Sequence, residues 1–200
     1  YTLNGGLMVL KPESITMVAT DGHRLAHIER AGEKFEGISG ELKTLVPKKA
    51  MDELKSLLDS TETETIEFAK DESTLFFRIG PRLLTSRQLT GQFPNYEAVL
   101  PKDNNKSVVL AGADLSAAIS RVAQFADERS RAVRMKVDKG EVKISASSTE
   151  SGESEDSIET NYDGVPVTIG FNAQYVLDFL KATGAGDVRL EFKDAQSAGQ

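Results

Sequence analysis

Residues 44–58 have the sequence TLVPKKAMDELKSLL, and residues 168–181 have the sequence TIGFNAQYVLDFLK. Each segment starts with a short apolar stretch typical of a strand and continues with apolar residues at helical spacing. In the first segment this stripe contains Met51, Leu54, Leu57 and Leu58. In the second it contains Val176, Leu177 and Leu180, and Asn172 is a suitable N-cap. Both segments are therefore predicted to be the same strand–helix unit.

The similarity between the two halves extends beyond these helices. The sequence IEF at 66–68 follows the first helix, and LEF at 190–192 follows the second. Earlier in each half, MVAT at 17–20 parallels ISAS at 144–147. The repeat is the size of a domain, which indicates duplicated domains rather than a solenoid. The turn-rich segment LPKDNNK at 100–106 separates the halves, so we predict one domain at 1–104 and another at 105–200.

Most of the remaining sequence alternates apolar and polar residues as strands do. Residues 135–137 and 142–145 flank Asp138-Lys139-Gly140-Glu141, which predicts a β-hairpin. A further helix is predicted at 113–127, at the start of the second half. The expected fold class is α+β, with antiparallel sheets and few helices.

Composition limits the function classes. The 200 residues carry a net charge of −7 and contain no cysteine, which excludes disulfides, zinc–thiolate sites and thiol catalysis. No apolar run is long enough to span a bilayer. The charge argues against a uniformly basic DNA-coating surface but allows a local basic lining. A basic-rich stretch at 121–143 precedes residues 144–180, which have acids but no Lys or Arg. This asymmetry suggests two faces, and the alternative is a solvated acidic loop.

Asp21-Gly22-His23 is the first segment that could carry chemistry. Asp21 and His23 could form a catalytic dyad or provide two metal ligands, so a hydrolase or metal enzyme is one candidate. However, Asp-Gly between two apolar strands is primarily a turn, and a dyad also needs a nucleophile. No phosphate-binding glycine loop of a known pattern occurs.

The second such segment is GQFPNYEAVLP at 91–101. Its two prolines favour an extended path, and Phe93, Tyr96 and Val99 are apolar. Taken alone, the segment favours an interdomain connector that packs on a core over a functional site.

Together the two segments resemble the bacterial beta sliding clamp family, the beta subunit of DNA polymerase III. The strings that carry the resemblance are MVATDGHRLA at 17–26 and GQFPNYEAVLP at 91–101, supported by LNG at 3–5 and NAQYVL at 172–177. The resemblance covers essentially the whole chain. It implies repeated DNA clamp domains, with antiparallel sheets outside and helices lining a pore. The chain would hold the middle domain without its first strand and helix, and the last domain without its final strands.

The resemblance also implies a function. Two three-domain subunits would form a homodimeric ring around double-stranded DNA, without sequence preference. The ring would be a non-catalytic processivity factor, cytoplasmic, without membrane contact and without a cofactor or metal. A hydrophobic pocket would bind peptides of the DNA polymerase III catalytic subunit, the clamp loader, other polymerases and repair proteins.

Site residues follow from the resemblance by matching motifs. The peptide pocket would include Leu3, Thr20, His23, Arg24, Leu25, Pro94, Val99, Asn172 and Tyr175. Lys49 is the best positional match for a DNA contact, and Lys48, Tyr1 and Arg131 are weaker matches. The dimer interface would contain Glu150, Glu153, Glu155 and Asp156. Ala98 departs from the family, which often has arginine there, so a less polar pocket rim is expected.

Overall fold

The computed structural model describes residues 2–32, 34–63, 65–184 and 186–200, and the chain divides into two compact units, Tyr1–Val99 and Leu100–Gln200. The elements of the first unit are β1 (Gly5–Lys11), β2 (Ser14–Thr20), β3 (Leu25–Ala31), β4 (Leu42–Pro47), α1 (Lys48–Asp59), β5 (Glu67–Lys70), β6 (Thr74–Ile79) and β7 (Arg82–Arg87). Those of the second unit are β8 (Lys106–Ala111), α2 (Gly112–Val122), β9 (Ala132–Asp138), β10 (Glu141–Ser148), β11 (Gly152–Glu159), β12 (Val167–Asn172), α3 (Ala173–Thr183) and β13 (Asp187–Phe192).

The first unit contains a sheet of order β3-β2-β1-β4 and a sheet of order β5-β6-β7, both antiparallel. Strand β1 is buried on both faces because its side chains alternate between two apolar clusters. Leu7 and Val9 join one cluster, and Met8 and Leu10 join the other, which also contains Ala50 of α1. The first unit therefore has two small cores on either side of a single strand.

The second unit contains an antiparallel sheet of order β11-β10-β9-β12 and a strand pair β13-β8. Its core is one continuous cluster in which Leu115 and Ile119 of α2 are fully buried with Val137 and Ile144 of the sheet. The predicted hairpin is confirmed, since Asp138 pairs with Glu141 across a turn in which Gly140 has a φ of 82°. The α+β fold class with antiparallel sheets is confirmed as well.

The duplicated strand–helix unit is also confirmed. β4 leads into α1 as β12 leads into α3, and the Asn172 side chain accepts a hydrogen bond from the Gln174 backbone N–H as an N-cap does. A wider repeat is visible too, because β4-α1-β5-β6-β7 and β8-α2-β9-β10-β11 have the same strand–helix–three-strand order. Among the described residues, no helix is long and apolar enough to cross a membrane.

Two predictions about local structure are wrong. The helix predicted at 113–127 ends at Val122 and continues only as a 3₁₀ turn, Ala123–Phe125. The Asp127 carboxylate then accepts hydrogen bonds from the backbone N–H groups of Arg129 and Ser130, which turns the chain. The alternative of a solvated acidic loop is wrong for residues 152–159, which form the strand β11.

Candidate functional site

The turn between β2 and β3 is closed by its own polar side chains. Asp21 Oδ1 accepts hydrogen bonds from the backbone N–H groups of His23 and Arg24, both at 3.0 Å, and Arg24 Nε donates to Asp21 Oδ2 at 3.1 Å. The Thr20 hydroxyl donates to the Arg24 carbonyl at 2.7 Å and accepts from the Gly22 N–H at 3.1 Å. Gly22 has a φ of 89°, a conformation that favours glycine. The turn is thus organised before any ligand arrives, and His23 and Arg24 are exposed on it.

The Asp21 carboxylate has a structural task. The backbone N–H groups of His23 and Arg24 lower the pKa of Asp21 below its usual value, so the group is ionised at neutral pH. The hydrogen bond between Asp21 and His23 involves the His23 backbone amide, whereas a catalytic dyad needs the imidazole. In the part of the chain that the structure describes, no cluster of three or more His, Cys, Asp or Glu side chains is placed to hold a metal ion. The geometry therefore gives the hydrolase or metal-enzyme candidate no positive support.

The segment that follows β7 packs on the same core as the end of the turn. Leu25, Phe93 and Tyr96 are partly buried against the cluster that contains Leu7 and Val18, and Leu89 joins them. The Tyr96 ring lies 5.9 Å from the His27 ring, and residues Tyr96–Ala98 form a 3₁₀ turn. The structure thus brings Leu25 to the segment that carries Pro94 and Val99.

Three of the candidate pocket residues in the first unit are apolar and exposed. Leu3 is 41% exposed, Val99 is 64% exposed, and Pro94 is also exposed. Exposed apolar side chains in a unit that also carries an organised polar turn are typical of a peptide-binding surface.

In the second unit, Asn172 is fixed at the start of α3. Besides its cap bond to Gln174, its Nδ2 donates to the Ser130 carbonyl at 3.2 Å. The Ala173 backbone N–H donates to the Arg131 carbonyl at 2.9 Å, so the loop before β9 holds the N-terminus of α3. Tyr175, in the first turn of the same helix, is half-buried. Asn172 and Tyr175 therefore stand on a rigid element.

The candidate DNA contacts differ in their surroundings. Lys48 Nζ lies 3.0 Å from the Asp52 carboxylate one turn along α1, so its charge is partly neutralised. Lys49 is exposed and forms no ion pair with the residues that the structure describes. Arg131 is exposed at the end of a turn, with a φ of 49°. Tyr1 lies outside the described residues.

The candidate dimer-interface residues lie on or beside β11, which is an edge strand of its sheet. Glu153 and Glu155 are exposed and alternate with less exposed residues, and Glu150 lies in the preceding turn. Asp156 belongs to the other face of the strand, where its carboxylate forms an ion pair with Arg121 of α2 at 2.6 Å. The structure therefore separates Asp156 from the three glutamates.

Two residues that shape these surfaces do not stand out in the sequence. Arg121 belongs to the basic-rich stretch at 121–143, and its exposed helical position before an acidic stretch is the signal that could suggest an ion pair. Leu89 gave no signal beyond being apolar, and only the structure places it with Leu25 and Phe93.

Comparison with protein families accounts for nearly the whole chain. Residues 1–95 match the central domain of the DNA polymerase III beta subunit, and residues 97–199 match its C-terminal domain. The beta sliding clamp of Proteus mirabilis is 37% identical over all of this chain and 54% of its own length. The beta sliding clamp of Escherichia coli K12 is 35% identical with the same coverage.

Solved structures agree with the sequence comparison. The DNA polymerase III subunit beta of Pseudomonas aeruginosa superposes with a TM-score of 0.90 at 34% identity, over 100% of this chain and 54% of that one. A sliding clamp from the same organism bound to griselimycin gives 0.91 at 34% identity, with 100% and 53% covered. The fold is therefore that of repeated DNA clamp domains. The chain belongs to the beta sliding clamp family, and it spans about half the length of these relatives.

Proposed function

We propose that the full-length protein is a sliding clamp that encircles double-stranded DNA and holds polymerases and repair proteins on it. The observation that carries the proposal is the unbroken match of this chain to the central and C-terminal clamp domains, in that order. The ring would consist of two subunits of three domains each. This chain would supply the middle domain at 1–104 and the last domain at 105–200 of such a subunit.

The proposed mechanism is topological, and the protein carries out no catalytic step. A closed ring does not leave DNA without opening, so a polymerase bound to it stays at high local concentration near the primer end. Contacts with DNA would be to phosphates and independent of sequence. Lys49 is the leading candidate for such a contact because it is exposed, whereas Asp52 weakens the charge of Lys48. We include Arg131 and Tyr1 as further candidates. A cytoplasmic location follows, because bacteria replicate their DNA there.

The partners would bind through short peptides with apolar anchors. Leu3, Pro94 and Val99 offer exposed apolar surface, and the turn that carries Thr20, His23, Arg24 and Leu25 is already ordered. A preorganised surface loses little conformational entropy on binding, which favours affinity. Asn172 and Tyr175 would contribute from α3. The polymerase III catalytic subunit, the clamp loader, other polymerases and repair proteins are the proposed peptide donors.

The free edge of β11 would form the dimer interface. An edge strand with exposed carboxylates suits pairing with a basic strand of another subunit. Glu150, Glu153 and Glu155 would face that strand. Asp156 would act indirectly, because its ion pair with Arg121 joins β11 to α2.

Peptide binding by the full-length protein tests the proposal. A fluorescent peptide with the clamp-binding sequence of a polymerase would be titrated with wild type and with His23→Ala/Arg24→Ala. The matched control is Arg30→Ala, which removes an exposed arginine from β3, the strand that follows the turn, outside the proposed pocket. We expect at least about ten-fold weaker binding for the double variant, about 1.4 kcal/mol, and unchanged binding for the control. Equal binding by all three proteins would contradict the assignment of the pocket.

Retention on DNA tests the ring separately. The protein loaded on circular nicked DNA is expected to stay bound after dilution and to leave quickly once the DNA is cut to a linear form. Equal loss from circular and linear DNA would exclude the topological mechanism.

A further inference from the structure

Strand β8 has one free edge. Glu191 of β13 exchanges both backbone hydrogen bonds with Gln200, at 2.7 and 2.8 Å, so its N–H and C=O point away from β8. These groups alternate sides along an antiparallel strand, and alternate residues of β13 therefore bond to β8. By the same alternation, Ser107, Val109 and Ala111 direct their N–H and C=O away from β13. No strand pairs with that side in the part of the chain that the structure describes.

A groove of about 860 Å³ runs along this free edge, and the segment 160–165 forms its opposite wall. The wall is held in place from behind. Tyr162 is buried, its ring lies 6.4 Å from that of Phe192, and its hydroxyl donates to the Val165 carbonyl at 2.8 Å. The Gly140 N–H donates to the Tyr162 carbonyl at 2.9 Å, which ties the wall to the β9–β10 turn. These contacts fix the position of the wall, so the groove has a defined shape within the second unit.

The side chains along the groove are apolar and acidic. Val109 is 46% exposed and Val165 is 70% exposed, and both line it. Asp163 and Asp187 also line it and form no ion pair with the described residues. Lys106 is a lining cation, but its Nζ donates to the Lys193 carbonyl and to Asn105. An occupant with an apolar centre and positive charge would complement this lining.

The first unit shows what fills the corresponding edge there. β4 opens its strand–helix–three-strand motif as β8 opens the next one. After β7 the chain returns to β4, where the Leu89 N–H donates to the Leu45 carbonyl at 3.0 Å and the Gln88 side chain bonds to the Thr44 hydroxyl at 2.8 Å. After β11 no such backbone bond joins 160–165 to β8 within the described ranges. In the first motif the segment after β7 covers the edge of β4. In the second motif the segment after β11 leaves a groove beside β8.

We propose that this groove binds an extended peptide, which adds as a strand to β8. The peptide would place a β-branched residue beside Val109 and Val165 and a lysine or arginine near Asp163 and Asp187. Backbone pairing would give affinity, and these side chains would give selectivity. None of these residues belongs to the proposed clamp pocket, so the site stands independently of the proposed function.

A labelled peptide acetyl-Lys-Thr-Val-Thr-Lys-amide is the probe, titrated with the full-length protein and followed by fluorescence anisotropy. Val109→Lys and Val165→Lys place a cation in the groove, and each is expected to weaken binding about ten-fold or more. Leu83→Lys is the matched control, because Leu83 is 57% exposed on the edge strand β7 outside the groove. The control is expected to bind as wild type does. A backbone N-methylated form of the peptide is expected not to bind.

Amide hydrogen exchange gives a residue-level readout. The peptide is expected to slow exchange at Ser107, Val109 and Ala111 specifically. Val108 and Leu110 are expected to exchange slowly even without the peptide, because they pair with β13. The proposal is overturned if these three amides stay unprotected, if the N-methylated peptide binds equally, or if Leu83→Lys weakens binding as much as the groove variants.

Discussion

Replacing Asp21 tests whether the turn at 20–25 is organised by a single carboxylate. Asp21→Ala removes the acceptor of two backbone hydrogen bonds and of the Arg24 side chain, whereas Asp21→Asn keeps an acceptor at Oδ1. Each such bond contributes about 0.5–1.5 kcal/mol net, and the side chain is partly exposed. We therefore expect Asp21→Ala to lower the free energy of unfolding by about 1–2 kcal/mol, and Asp21→Asn by less than half of that.

The substitution should also weaken peptide binding, because a loosened turn must be ordered again when the peptide binds. If ordering the turn adds about 1 kcal/mol to the free energy of binding, the affinity for a clamp-binding peptide drops about five-fold. Urea titration followed by circular dichroism measures the first effect, and fluorescence anisotropy measures the second. Asp21→Asn is the matched control in both, since it keeps the size of the side chain.

The pH dependence provides a further check. The pKa of Asp21 is lowered in the folded protein, chiefly by the His23 backbone N–H. The ionised carboxylate therefore contributes stability above the unfolded pKa of about 3.9, and this contribution is lost as pH falls through the folded pKa. The difference between wild type and Asp21→Asn should shrink below about pH 4. Equal stability and peptide affinity of Asp21→Ala and wild type at pH 7 would refute the reasoning.

Three other experiments, which use four substitutions, have defined outcomes. Asn172→Ala removes the N-cap of α3 and is expected to cost about 1 kcal/mol in urea unfolding, and unchanged stability would show that the cap contributes nothing. Arg121→Met and Asp156→Ala are expected to show a coupling of about 0.5–1 kcal/mol in a double-mutant cycle, reduced in 1 M NaCl, whereas additive effects would exclude the ion pair. Gly5→Ala would place a Cβ only 2.1 Å from the Val46 carbonyl oxygen, so a loss of more than about 2 kcal/mol is expected, and a neutral effect would mean that β1 and β4 separate easily.

Much of the fold could be predicted from the sequence because its signals are local. The apolar stripes of α1 and α3, the Asn172 cap and the hairpin at Gly140 each depend on residues close together in the chain. The strand β11 was harder, because an edge strand with acidic residues on its exposed side lacks the apolar alternation of a core strand. The end of α2 differs from the prediction, since Ala126 continues the helical spacing while Asp127 turns the chain.

The candidate site was predictable to a smaller extent. The turn at Asp21-Gly22 follows from residue type, but the sequence does not show that Leu25, Leu89 and Tyr96 meet on one cluster. Such contacts join residues far apart in the chain, and no local pattern reports them. The same holds for Arg121 and Asp156, which belong to different elements.

The acidic residues along the edge of β11 also determine which strands it does not pair with. An unpaired strand edge is a template on which identical chains aggregate. If two copies of β11 paired with each other, Glu153, Glu155 and Glu159 would meet more carboxylates, and like charges opposite each other in a sheet are destabilising. The glutamates therefore disfavour pairing between two copies of β11 but allow pairing with a basic strand. In this way the exposed edge is protected against aggregation.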